Sequence, residues 1–132
     1  MKIINQLMKN TVIFDMDGVI VDTEPLHKKA YYQHFEELKI DVDAELFSKF
    51  TGKSTLNVYQ MIKEIFGIDT NVEDLIQRKR TLFYDLFDSD PALKLLDGVE
   101  VLIKNLHSAN FQLILASSAA KSTIDRVFKR FN

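Results

Sequence analysis

Cysteine is absent from the sequence, which excludes a disulfide framework, a thiolate zinc site and a cysteine nucleophile. Long hydrophobic runs are absent too, since no stretch approaches the ~20 apolar residues that span a bilayer. The apolar start of the chain (Ile3, Ile4 and Leu7) is too short for the hydrophobic region of a signal peptide. We therefore expect a cytoplasmic protein that has no membrane partner.

No charge of one sign dominates, because 17 basic and 19 acidic side chains mix along the chain and give a net charge of -2. The sequence contains neither a basic stripe that could follow a nucleic-acid backbone nor a polybasic cluster. We therefore expect no nucleic-acid partner. With 46% hydrophobic and 27% charged residues, the composition is ordinary for a soluble globular protein.

Two short apolar runs predict strands, at Thr11-Val-Ile-Phe14 and at Phe111-Gln-Leu-Ile-Leu-Ala116. The first run ends abruptly at Asp15, and the second ends at Ser117. Runs of this kind are typical of strands that are buried on both faces, as in a parallel sheet.

The rest of the chain has helical periodicity. Helix starts are predicted at a proline, three side-chain caps and a glycine: Pro25, Asp43, Ser54, Asn71 and Gly98. Gly67 is expected to end a helix. A last helix is predicted from Ser122 to Phe131, with one apolar side formed by Ile124, Val127 and Phe128. The order strand, helical insertion, helix, strand, helix predicts an α/β protein in which helices outnumber strands.

Four acidic residues fall within ten positions directly after the first strand: Asp15, Asp17, Asp22 and Glu24. Ligands of open α/β sheets bind beyond the carboxyl ends of the strands, which is where Asp15 would lie. Asp17 would face the same side as Asp15 if the chain stays extended. Two such carboxylates repel each other and favour a cation, and their oxygens suit Mg²⁺. One carboxylate could also attack a phosphoryl group while the other transfers the proton.

This acidic segment has two other interpretations. An EF-hand loop is excluded, because counting from Asp15 puts the glycine fourth instead of sixth and Leu26 at the twelfth position. A plain hairpin stays open, because Asp17-Gly18 between apolar residues is a strong hairpin signal.

The longer string Phe14-Asp-Met-Asp-Gly-Val-Ile-Val-Asp-Thr-Glu-Pro25 resembles the first motif of the haloacid dehalogenase (HAD) superfamily, in the version of its β-phosphoglucomutase-like subgroup. The resemblance implies an incomplete Rossmann-like α/β core with parallel strands, formed by residues 1–24 and 93–132. It also implies a helical cap domain inserted at residues 25–92. It further implies that Asp15 is the nucleophile and a Mg²⁺ ligand, and that Asp17 is the general acid/base whose backbone carbonyl also binds the metal.

The end of the second strand is similar to the family's second motif. The resemblance implies that the hydroxyl of Ser117 binds the transferring phosphate, with help from the backbone N–H of Ser118. A hydroxyl and free amides at a strand-to-helix turn are a reasonable phosphate site. A helix cap is the alternative role of the serines. Lys121 either lies near the phosphate or is a solvated lysine in the first turn of a helix.

Within the proposed cap, His27 stands where relatives keep a histidine near the substrate, and its alternative is an ordinary histidine on a helix face. Thr51-Gly-Lys-Ser54 resembles the cap loop that selects the substrate, which implies contacts from Gly52, Lys53 and Thr55. The alternative there is a turn followed by a serine cap. Thr55 replaces an arginine of β-phosphoglucomutase, which favours a phosphatase. Lys79 either lines the inner surface of the cap or belongs to a solvated basic face.

The family's third motif, a lysine, and its fourth motif, an acidic pair, have no counterpart before the chain stops at Asn132. We infer a partial chain of a larger protein, from which full activity is not expected. Its two-stranded sheet would leave one edge unpaired, and such an edge favours self-association.

The leading functional hypothesis is a Mg²⁺-dependent phosphatase that acts on small phosphorylated metabolites, above all sugar phosphates, through an aspartyl phosphate. A hexose phosphomutase is the second hypothesis, and it differs in returning the phosphoryl group to the substrate. A non-catalytic binding or interaction fragment is the third.

Overall fold

The structure is a computed structural model that describes residues 10–131. In chain order its elements are β1 (Thr11–Phe14), α1 (Glu24–Glu37), α2 (Ala44–Ser48), α3 (Thr55–Phe66), α4 (Val72–Ser89), α5 (Val99–Ser108), β2 (Gln112–Leu115) and α6 (Lys121–Phe131). The apolar start at Ile3, Ile4 and Leu7 lies outside the described residues. None of the helices within residues 10–131 is long and apolar enough to cross a membrane.

The chain divides into two compact units. The first contains the residues up to Glu24 and those from Pro91 onward, and the second is Pro25–Asp90. We call the first the α/β unit and the second the helical unit. That the helical unit serves as a cap domain stays a prediction.

The two predicted strands of the α/β unit are confirmed, and they pair in parallel. Thr11 lies opposite Gln112, and Phe14 lies opposite Leu115. Two parallel strands need a long crossover connection, and here the crossover includes the whole helical unit and α5. This connection brings two segments that are distant in sequence to the same edge of one sheet.

The expectation that both strands are buried on both faces is wrong for the described residues. Exposed and half-buried side chains alternate along each strand. Ile13 is 65% exposed, and Ile114 is 40% exposed. Successive side chains of a strand point to opposite faces, so the alternation means that only one face is covered. Phe128, which was predicted on the apolar side of α6, is also exposed, whereas Val127 on the same helix is buried.

The helical unit has its own core, built from α1, α3, α4 and the loops between them. One buried cluster of this core consists of apolar and aromatic side chains: Tyr31, Phe35, Val42, Phe50, Val58, Tyr59, Ile62 and Leu75. Burying one such side chain fully contributes about 1.5–3 kcal/mol. The periodic apolar positions of the sequence are therefore the positions that hold these helices together.

The predicted helix caps of this unit are confirmed. The side chain of Asp43 accepts a hydrogen bond from the Leu46 N–H, and that of Ser54 accepts one from the Asn57 N–H. The side chain of Asn71 likewise caps α4. Each cap satisfies one backbone donor that has no partner inside its helix.

Two helices of this unit end in the same hydrogen-bond pattern, although one uses glycine and the other lysine. After α3, Gly67 has φ +64, and the Ile68 N–H donates to the Lys63 carbonyl. After α1, Lys39 has φ 56, and the Ile40 N–H donates to the Phe35 carbonyl. These are Schellman motifs, in which the residue after the helix must adopt the left-handed conformation. Lys39 adopts the left-handed conformation although its Cβ makes this conformation unfavourable.

Replacing Lys39 with glycine is expected to stabilise the helical unit by about 0.5–1 kcal/mol, because glycine adopts positive φ without a steric penalty. The matched change Gly67→Ala is expected to destabilise the unit by about 1 kcal/mol. Urea denaturation followed by circular dichroism measures both. Lys39→Ala is the control and should gain little; an equal gain from alanine would show that the backbone conformation is not the cause.

Candidate functional site

The parallel pairing places the two motif segments at one edge of the sheet. Phe14 and Leu115 are paired at the carboxyl ends of β1 and β2, and the Ala116 N–H donates to the Phe14 carbonyl at 2.8 Å. Asp15 is the next residue along the first strand, and Ser117 follows two residues after Leu115. The fold thus brings together the acidic segment and the serine pair, which the sequence analysis treated as parts of one site.

The acidic segment begins in an extended form. Met16 is fully buried, whereas Asp15 and Asp17 on either side of it are exposed. This alternation puts both carboxylates on the same side of the chain, as the sequence analysis expected. The Met16 N–H donates to Oδ1 of Asp15 at 2.7 Å, which restrains the carboxylate next to the strand.

A compact turn follows the two aspartates. Gly18 has φ +74, a conformation that favours glycine, and its N–H donates to the Val21 carbonyl. Val21 forms an isolated antiparallel bridge with Leu95, next to a hydrogen bond from the Leu96 N–H to the Ile20 carbonyl. The Asp-Gly signal therefore marks a turn that docks on the segment before α5, and it does not produce a regular two-stranded hairpin.

Thr23 is a site residue that the sequence analysis missed. Its hydroxyl donates to Oδ1 of Asp17 at 2.7 Å, and the threonine is only 2% exposed. A buried donor holds an exposed carboxylate in one orientation. The sequence signal was a threonine directly before Glu24, where α1 begins, and such a residue normally suggests a helix cap.

The serine pair lies in the turn between β2 and α6. Oγ of Ser117 accepts a hydrogen bond from the Ala119 N–H at 3.0 Å, and the serine is half-buried. This contact closes a local turn ahead of α6, which begins only at Lys121. Ser118 is exposed. The bond to Ala119 is thus a turn contact and not a cap of α6.

Lys121 lies in a surface ion pair. Its Nζ is 2.7 Å from Oδ2 of Asp125, one helical turn further along α6, and its side chain is 87% exposed. An exposed pair of this kind contributes little to stability. This position agrees with the solvated alternative, and contact with a phosphate stays a prediction.

In the helical unit, His27 and Lys79 form a contact between α1 and α4. Nζ of Lys79 is 2.7 Å from Nδ1 of His27. The imidazole stacks on the ring of Phe83, with centroids 4.2 Å apart and planes 8° apart. Lys79 Nζ also lies 4.6 Å from the ring centroid of Tyr31. These distances define a small polar group enclosed by aromatic rings.

The solvated-face alternative for Lys79 is wrong, because the residue is only 5% exposed. The basic residues next to Lys79 in the sequence suggested a solvent-exposed face of the helix. The periodicity of α4 instead places Lys79 on the buried face. Leu75 and Phe83, four residues before and after Lys79, are both buried. A helix puts residues at this spacing on one face, so Lys79 points inward with them.

The environment of His27 determines its protonation. Burial, and then the positive charge of Lys79, lower the pKa of His27 from 6.5 to about 4. The ring is therefore neutral at neutral pH. An ammonium group can only donate, so Nδ1 of His27 accepts from Lys79 and the ring proton resides on Nε2. The pair leaves an N–H donor on the far side of the imidazole.

The loop before α3 contains the remaining predicted contacts. Gly52 has φ +75, and both Gly52 and Lys53 are exposed. Ser54 caps α3, as the alternative interpretation of this loop expected, and Thr55 is the first residue of the helix. A role of Gly52, Lys53 and Thr55 in substrate selection stays a prediction.

Comparison with known proteins identifies the family. The sequence model of the haloacid dehalogenase-like hydrolases matches residues 12–132. The chain belongs to the haloacid dehalogenase-like hydrolases.

Several relatives of this HAD chain act on small phosphorylated compounds, according to their names. The (DL)-glycerol-3-phosphatase 2 of Arabidopsis thaliana is 30% identical over 108 residues, which are 80% of this chain and 44% of the relative. The fructose-1-phosphate phosphatase YqaB of Escherichia coli is 33% identical over 90 residues, 67% of this chain and 48% of the relative. The β-phosphoglucomutase of Bacillus subtilis is 30% identical over 113 residues, 82% of this chain and 50% of the relative.

Solved structures confirm the HAD-type fold. A family IA HAD hydrolase from Entamoeba histolytica superimposes with a TM-score of 0.75 at 20% identity, covering 92% of this chain and 55% of that protein. The chain therefore spans about half the length of the proteins it matches. The predicted fold class, a helix-rich α/β protein with parallel strands, is confirmed.

The residues of the acidic segment suit a magnesium ion. Mg²⁺ is usually held by one or two carboxylates, together with water and phosphate oxygens. Asp15 offers an exposed carboxylate, and Asp17, two residues further on, offers a backbone carbonyl oxygen. Among residues 10–131, no group of three or more His, Asp or Glu side chains is arranged to hold a metal. The HAD chain thus provides two ligands of the kind that Mg²⁺ prefers.

Removing the charge of Lys79 is expected to raise the pKa of His27 from about 4 part of the way to 6.5, since burial remains. Lys79→Met keeps most of the side-chain volume and eliminates the ammonium. The titration of the His27 ring signal by NMR measures the change. Lys53→Met removes an exposed lysine of the same unit and should leave the His27 pKa where it is. An unchanged pKa in Lys79→Met would contradict the contact.

Proposed function

We propose that this chain contributes the nucleophile of a Mg²⁺-dependent phosphatase of small phosphorylated metabolites, above all sugar phosphates. The observation that carries the proposal is the parallel pairing of Phe14 with Leu115, because Asp15 and Ser117 follow these two residues in the sequence. Family membership supports hydrolase chemistry, and the phosphatase names of two relatives support the substrate class.

In the first step, a carboxylate oxygen of Asp15 forms a bond to phosphorus while the bond from phosphorus to the leaving oxygen breaks. The product is an aspartyl phosphate. Asp17 gives its proton to the leaving oxygen, so that the metabolite departs as an alcohol. Restraint of Asp15 by the Met16 N–H and of Asp17 by Thr23 supports these two roles.

In the second step, Asp17 accepts a proton from water, whose oxygen bonds to phosphorus as the bond to Asp15 breaks. Inorganic phosphate leaves, and the Asp15 carboxylate is restored. The Ser117 hydroxyl and the Ser118 N–H would bind the phosphate oxygens. Mg²⁺, held by Asp15 and by Asp17 through its backbone carbonyl, would neutralise part of the phosphate charge.

We propose that the helical unit is the cap domain and binds the part of the substrate that is not phosphorylated. The His27–Lys79 pair supports this role, because a neutral imidazole with a free N–H is a suitable donor to a sugar hydroxyl. Gly52, Lys53 and Thr55 are proposed as further contacts, and Lys121 as a phosphate contact. A cytoplasmic location, the lack of a nucleic-acid partner and self-association through the sheet edge stay predictions.

A hexose phosphomutase is the second candidate, favoured by the relative named β-phosphoglucomutase. Both activities share the aspartyl phosphate and differ in what accepts the phosphoryl group. Thr55, which stands at the position of a mutase arginine, favours the phosphatase. The third hypothesis, a non-catalytic fragment, predicts no turnover at all.

Replacing Asp15 with asparagine is expected to lower Mg²⁺-dependent phosphate release by at least about a thousandfold, because the amide cannot act as the nucleophile. The assay uses the complete product of the gene, with p-nitrophenyl phosphate and several hexose phosphates as substrates. Asp97→Asn, an exposed acid of the α/β unit, is the matched control. Equal inactivity of wild type and Asp15→Asn would favour the non-catalytic fragment, and isomer interconversion without phosphate release would favour the mutase.

Removing the hydroxyl of Thr23 is expected to reduce turnover by about tenfold to a hundredfold, because Asp17 loses the donor that orients it. Thr23→Val keeps the shape of the side chain, and Thr23→Ser restores the hydroxyl. Turnover and its pH profile measure the effect. Rescue by serine is the expected result; a valine variant as active as wild type would remove Thr23 from the mechanism.

A further inference from the structure

A second buried polar pair lies in the core of the helical unit, apart from the residues assigned to the reaction. His34 on α1 is 3% exposed, and Tyr59 on α3 is fully buried. Nδ1 of His34 lies 2.6 Å from the hydroxyl oxygen of Tyr59. The two side chains therefore form a hydrogen bond that joins two helices inside an otherwise apolar cluster.

The charged groups near this pair compensate a charge on His34 only in part. Glu37 on α1 is the nearby acid, and both of its oxygens bind Arg78 of α4, at 2.8 and 2.5 Å. Arg78 itself repels an imidazolium. On α3, the group that faces His34 is the neutral hydroxyl of Tyr59. A proton gained by His34 would place a positive charge in the core, where the cost of burial exceeds the attraction of Glu37.

We propose that the hydrogen bond between His34 and Tyr59 is an acid-sensitive lock, which holds α1 against α3 while the imidazole is neutral and loosens the helical unit when it gains a proton. The lock is independent of the phosphatase proposal, since it depends only on the core of the helical unit. It would make the integrity of this unit respond to pH.

The direction of the pH dependence follows from burial. Burial is the main cause that lowers the pKa of His34 below 6.5, with an opposing effect of Glu37 and a further lowering by Arg78. Below pH 6.5 the unfolded chain therefore binds more protons than the folded chain. Stability is fully present above this pH and declines as the pH falls toward the lower pKa of the folded state. His27 adds an effect of the same sign.

The first test measures the titration of His34 directly. The chain has three histidines, His27, His34 and His107, so the ring signals can be assigned by NMR with the variants His27→Gln and His107→Gln. The expected result is that His34 titrates below pH 6.5 in the folded protein. A His34 that titrates at or above 6.5 overturns the proposal.

The second test measures the opening of the unit. Hydrogen exchange of the α1 and α3 amides, corrected for the intrinsic pH dependence of exchange, is compared at pH 7.5 and 5.0 in the full chain. Wild type and His107→Gln should lose protection at pH 5.0, whereas His34→Gln should lose less. Equal losses in wild type and His34→Gln overturn the lock.

The third test addresses the partner. Tyr59→Phe removes the hydroxyl and leaves the imidazole without that bond, so the urea midpoint at pH 7.5 should fall. Tyr32→Phe, a half-buried tyrosine of α1, is the matched control and should keep the wild-type midpoint. A Tyr59→Phe variant with the wild-type midpoint overturns the lock even if the histidine variants fail to fold.

Discussion

The parallel pairing of β1 with β2 is the constraint on which the candidate site depends. Phe14 and Leu115 are far apart in sequence, and their pairing places the residues after both strands at one edge. Strands that run in the same direction cannot be joined by a tight turn, so the connection must be long. Here the connection contains an entire helical unit with a core of its own. The position of Asp15 at the candidate site therefore depends on backbone hydrogen bonds between two segments that are distant from each other in the chain.

Buried polar pairs distinguish the helical unit from an ordinary apolar bundle. His27 with Lys79 and His34 with Tyr59 each join α1 to another helix. Among the described residues, no buried side-chain nitrogen or oxygen lacks a hydrogen-bond partner. Burial strengthens these contacts and makes an unpaired charge costly, which is why both histidines have lowered pKa values. The same physics keeps His27 neutral near a lysine and makes His34 sensitive to acid.

Most of the local structure was predictable, because it depends on contacts between residues close in sequence. The caps at Asp43, Ser54 and Asn71 need a side-chain oxygen within three residues of a backbone donor. Predictions failed where packing between distant elements decides. Ile13 belongs to an apolar run that is typical of a buried strand, yet it is 65% exposed. The prediction for Phe128 on α6 was also wrong, because that side chain is 60% exposed.

The sequence by itself determined the family, the strands, the helices with their caps, and the acidic segment that contains Asp15 and Asp17. These features follow from the types of residue and from their spacing along the chain. Only the tertiary structure decided that Thr23 holds Asp17 and that Lys79 is buried against His27. A hydrogen bond between residues six positions apart depends on how the chain turns. A hydrogen bond between two helices depends on how those helices pack. Periodicity predicts which face of a helix or strand a residue occupies. Only the packing of the elements shows which groups contact that face.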